Sequence, residues 1–93
     1  MKLREEIETL SIKVQKLIDL KEGHIAYFID VLALLEEMKR YIDEKIYDKE
    51  KRSNLSGGAG RLLMEHLSFC ETALGGRIFK FMDCFQKLED KYE

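Results

Sequence analysis

The sequence predicts an all-α fold: a long, coiled-coil-like helical hairpin that pairs with a second copy to build a four-helix bundle. Three observations lead there. Apolar residues recur in alternating steps of four and three over the first half of the chain. A second run of the same kind follows a glycine-rich stretch. The 93 residues contain no proline, the residue that most often interrupts a helix. The length fits one small domain, residues 1–93, too small to enclose a large core unaided.

The first repeat runs Leu3, Ile7, Leu10, Val14, Leu17, Lys21, His24, Phe28, Val31, Leu35, Met38, Ile42, Lys45, with ten of thirteen slots apolar. A 3-4 repeat held this long is the seam of a coiled coil or bundle. Within it, residues 24–35 are apolar in ten of twelve positions, so a helix there is apolar all round and needs cover on several sides. The spacing predicts one helix over residues 2–52. Glu5, Glu6 and Glu8 suit its start and Lys49, Lys51 and Arg52 its end, where the macrodipole favours each sign. The polar seam residues Lys21, His24 and Lys45 read as devices that fix register. Gly23 offers the alternative: a break there gives a three-helix bundle.

Residues 53–60, Ser-Asn-Leu-Ser-Gly-Gly-Ala-Gly, read as the hairpin loop. No strand precedes them and no Gly-Lys-Ser/Thr follows, so they are not a phosphate-binding loop. A second helix is predicted over residues 61–91, with the seam Leu63, Leu67, Cys70, Leu74, Ile78, Phe81, Phe85, Leu88 and Tyr92. Gly75 and Gly76 fall inside it. Two glycines in a helix interior cost on the order of 2 kcal/mol against alanine, which points to close approach of another backbone, a kink or a hinge.

Charge narrows the function. Charged residues make up 37% of the chain, yet the net charge is −2, with both signs interleaved and no basic face for nucleic acid. No stretch is long and apolar enough for a membrane span or a secretory signal, which leads to the expectation of a cytoplasmic protein. Two cysteines make no disulfide framework. Cys70 and His66 stand four apart on one helical face, a spacing that suits metal ligation. In a hairpin turning near residue 57, however, His24 lies far from both. Buried structural thiols are the expectation, with no metal, no cofactor and no catalytic set. No Glu stands three before a His, as a di-iron bundle needs.

The expected function is therefore protein–protein interaction, as a small homo-oligomeric adaptor or regulator and not an enzyme. A hairpin binding RNA or DNA through a dimer surface is the alternative. A second helix of 31 residues spans roughly 46 Å against roughly 75 Å for the first. Leu3, Ile7, Leu10, Val14 and Leu17 then overhang, and with Phe28, Val31 and Leu35 they form the expected oligomer interface. Tyr27, Leu34 and Tyr41, seven apart, form a candidate strip facing a partner protein.

Overall fold

The structure, a computed structural model, describes residues 2–21, 24–46 and 48–87. It is all-helical among these residues. Five helices follow one another: α1 (Leu3–Asp19), α2 (Ile25–Asp43), α3 (Lys49–Met64), α4 (Leu67–Cys70) and α5 (Ala73–Gln86). The single helix expected over residues 2–52 does not form. With a longest dimension of 39 Å, the molecule has no room for one.

The two breaks in that helix share one cause. α1 is closed by Leu20, and the next residue, Lys21, takes a left-handed φ of 54° while its N–H bonds the Ile18 carbonyl at 3.0 Å. α2 ends the same way. Lys45 has φ 52°, its N–H reaches the Ile42 carbonyl at 3.2 Å, and the Ile46 N–H reaches back to Tyr41 at 3.1 Å. This 6→1 and 5→2 pair is the Schellman closure, which normally uses glycine in the left-handed position. His24 is the N-cap of α2. Lys21, His24 and Lys45 are thus not register devices. The three polar slots of the repeat are the residues at its two turns. Gly23, the site of the alternative break, lies outside the described residues.

The expected loop over residues 53–60 is helix. Asp48 caps α3, its side chain accepting the Lys51 N–H at 3.1 Å. Gly57, Gly58 and Gly60 are carried inside α3 because its inward face continues in 4-3-4 steps as Arg52, Ser56, Ala59 and Leu63, all buried. Small side chains there let α3 lie close to its neighbours, and packing outweighs the low propensity of glycine. Arg52, expected at the end of the long helix, lies in the first turn of α3 and is 4% exposed. It donates to the Tyr41 hydroxyl at 3.3 Å.

The second predicted helix is also divided. α3 closes at Glu65, α4 makes a single turn, and Thr72 caps α5. The Thr72 hydroxyl donates to the Phe69 carbonyl at 2.6 Å and accepts the Gly75 N–H at 3.0 Å. Gly75 and Gly76 therefore occupy a first turn, not a helix interior. A Cβ on Gly75 would run into the Phe69 carbonyl oxygen and come within 2.9 Å of the Cys70 Cα, whereas one on Gly76 would meet nothing within 4 Å. The close-approach reading holds for Gly75 alone, and the backbone it meets is that of the preceding turn. Leu88, Tyr92 and the expected helix end at residue 91 lie outside the described residues.

α1 packs on α2 and α5, and α3 packs on the same two helices from the other side, while α4 lies on α3 and α5. Four helices of one chain thus surround one core. Ile7, Leu10 and Val14 come from α1, Phe28, Val31, Leu35 and Met38 from α2, and Leu63, Ile78, Phe81 and Phe85 complete it. Ion pairs tie the layers outside the core. Arg4 pairs with Asp43 across α1 and α2, and Arg77 of α5 forks onto both carboxylate oxygens of Glu6 in α1 at 2.9 and 3.3 Å.

Candidate functional site

The side chains with most chemistry collect where the α1–α2 turn meets the α3–α4 turn. α3 ends there, and the last carbonyls of a helix need donors from outside it. The Leu63 carbonyl finds three: the His66 N–H at 3.2 Å, the Tyr27 hydroxyl at 3.1 Å and the Cys70 thiol at 2.9 Å. One atom of α3 thereby holds α2, the turn and α4 together. Aromatic rings are layered over it. His24 stacks on His66 with centroids 4.2 Å apart and planes 25° apart, and the Tyr27 ring stands edgewise to His66 at 4.3 Å. Phe69 meets Tyr27 at 5.7 Å and Phe28 at 5.2 Å, both edgewise.

The surroundings tune two of these groups. Burial, helped at alkaline pH by a Cys70 thiolate and by Glu65, pushes the Tyr27 phenol up to about 12, so it remains a hydrogen-bond donor at any physiological pH. Burial also raises the Cys70 thiol, with Glu71 adding to it and a backbone hydrogen bond partly opposing. A raised thiol stays protonated and is a poor nucleophile. Its proton goes to a backbone carbonyl, the wrong partner for the activated thiolate that covalent catalysis needs. Among the described residues, no three His, Cys, Asp or Glu side chains are placed to hold a metal ion. The two imidazoles lie face to face, whereas ligation uses lone pairs in the ring planes, so the stack does not converge on one ion.

The sequence placed His24 far from His66; the structure brings their rings into contact. The error has one source, the assumed single helix over residues 2–52. The spacing of His66 and Cys70 is as read, and the Cys70 thiol is turned to the Leu63 carbonyl. Cys84 stays apart, half-buried on α5. The side chains expected at an oligomer interface are inside their own chain. Ile7, Leu10, Val14, Phe28, Val31 and Leu35 are buried, and Leu3 and Leu17 are packed against them. Because α1 folds back on α2, the overhang from which that interface was inferred does not exist. The expected partner strip turns inward too. Tyr27 and Tyr41 are buried and donate to the carbonyls of Leu63 and Asp48, and Leu34 is half-buried.

No family model, curated protein or solved structure matches this chain. The site is therefore read from its own geometry, and the surface adds a second feature. A groove of about 480 Å³ runs along the outside of the α1–α2 pair. Ser11 lines it from below. The Ser11 hydroxyl is buried and has no hydrogen-bond partner among the described residues. Ile12, 63% exposed, and Leu32 make its apolar wall, and its rim carries Glu8, Asp19 and Glu36 against Lys16 and Lys39. Sequence reasoning passed over this groove because Ile12 falls off the 3-4 repeat. An apolar residue outside the seam, with a polar neighbour on each side, was the available signal. No described helix is long and apolar enough to cross a membrane.

Proposed function

We propose that this chain is a small helical interaction module that works by protein–protein contact, and that its first partner is a second copy of itself, met through the α1–α2 face. The single observation that carries this is Ile12, a large apolar side chain left 63% exposed in the lining of a groove of about 480 Å³. Ile29, half exposed, adds apolar surface on α2. A two-fold pairing sets residue i against j and j against i. A rim holding both signs can satisfy itself in that arrangement, Glu8, Asp19 and Glu36 of one copy facing Lys16 and Lys39 of the other. With three carboxylates against two ammonium groups, the same rim offers a phosphate backbone no cationic track. No catalytic role is assigned.

Light scattering on an eluting size-exclusion peak tests it. The chain mass is 11.0 kDa. A mass near twice that value is expected at micromolar concentration, and Ile12→Asp should return it to the chain mass with helical content unchanged. A parent that elutes as a monomer, or an Ile12→Asp variant that stays dimeric, overturns the proposed face.

A further inference from the structure

We infer that the His24–His66 stack is an acid-sensitive latch that holds the α1–α2 turn to the α3–α4 turn. The two imidazoles come from different turns, 42 residues apart in the chain, and touch face to face at 4.2 Å. Each stands at the N-cap of a helix, and neither side chain caps its own helix. The rings are spent on each other. Neutral imidazoles stack as aromatic rings do. When each has taken a proton from solvent, two like charges face one another at that separation, and the contact becomes repulsive. The positive end of α2 adds to this, because its first turn holds no acidic residue to offset a cation at His24.

Among the described residues, no carboxylate forms an ion pair with either imidazole. From α2 comes Tyr27, a neutral phenol at neutral and acid pH. From α4 comes Cys70, a neutral thiol. The α1–α2 turn carries Lys21 and, outside the described residues, Glu22. The α3 and α4 caps supply Glu65 and Glu71; both are exposed, so water and salt screen them in part, although Glu65 is near enough to act on the Tyr27 phenol. The first turn of α5, which packs on α4, carries no charge. Like charges on two rings stacked at 4.2 Å drive them apart. α4 is a single turn, and it sits over the Tyr27, Phe28 and Phe69 rings. Parting the latch loosens that turn and opens the aromatic cluster beneath it. The device depends on the fold of one chain and is independent of the dimer proposed above.

Melting temperature against pH tests the latch, comparing the parent with His24→Gln and His66→Gln. Between pH 7.5 and 5.0 the parent should lose roughly 5 °C or more, a shift that a small domain shows for a modest loss of stability. Each variant should lose less than half as much, and 1 M salt should reduce the parent's loss. Equal losses in parent and variants overturn the latch. Should a glutamine variant fail to fold at pH 7.5, amide exchange in the parent decides. After correction for intrinsic rates, protection over residues 64–72 should fall at least tenfold at pH 5.0 relative to pH 7.5. Unchanged protection there refutes it.

Discussion

Ser11 and Gly75 show how differently single positions are constrained. The Ser11 hydroxyl is buried without a partner among the described residues, a state that costs about 1–3 kcal/mol. Ser11→Ala removes the unmet group and keeps the volume, so it should raise the melting temperature by a few degrees. Gly75→Ala should do the reverse. Its methyl would collide with a backbone carbonyl that the Thr72 hydroxyl also holds, and neither can yield without opening the turn. Gly76→Ala, with open space around the new methyl, is the internal control and should be neutral or stabilising. Thermal melts of the three variants settle all three signs. Tyr27 gives a pH signature. Its phenol is held neutral to about 12 in the fold against 10 in an unfolded chain. The unfolded state therefore loses its proton first as pH rises. Stability is complete below pH 10, falls between 10 and 12, and should fall less steeply in Tyr27→Phe, as alkaline melting curves would reveal. At neutral pH that variant should cost only about 1 kcal/mol, since the Leu63 carbonyl keeps two other donors.

At the scale of elements, the instructive residues are those that end helices. The 3-4 repeat located most core side chains of α1 and α2, though not Tyr27 and Tyr41, because an amphipathic face has the same spacing whether its helix runs on or turns back. It could not locate the turns. Lysine in a left-handed conformation carries no local signature, and a register that passes through a break without slipping looks unbroken. For that reason the His24–His66 contact was also illegible: it exists only because the chain reverses between α2 and α3. The glycines of α3 misled in the opposite sense, since loop composition was overruled by packing through Ser56 and Ala59. Two predictions follow from the helix ends and interiors. Lys45→Gly relieves the left-handed strain at the end of α2, which for an L-residue is roughly 1 kcal/mol, and should stabilise the fold. Gly57→Ala and Gly58→Ala, with nothing within 4 Å of either added methyl, should each contribute about 0.5–1 kcal/mol. Denaturant midpoints at an unchanged m-value would verify both; a loss of stability in Gly57→Ala would mean that α3 is not helical there.

For the whole molecule, the closure of α5 onto α1 sets the order of assembly. α1 with α2, and α3 with α4 and α5, are neighbours in sequence and need only short loops to meet. The fork from Arg77 to Glu6 spans 71 residues. Bringing distant segments together is entropically harder than closing a tight turn, so this contact belongs to the late side of the folding barrier. Interactions made after the transition state act on the rate of leaving the native state and hardly on the rate of reaching it. Arg77→Ala should accordingly speed unfolding by roughly twofold to fivefold, the kinetic equivalent of a partly exposed ion pair, while refolding proceeds at the parent's rate. In a stopped-flow chevron the unfolding arm alone would shift. A slowed refolding arm would mean that α1 and α5 meet early, and that their contact nucleates the fold instead of closing it.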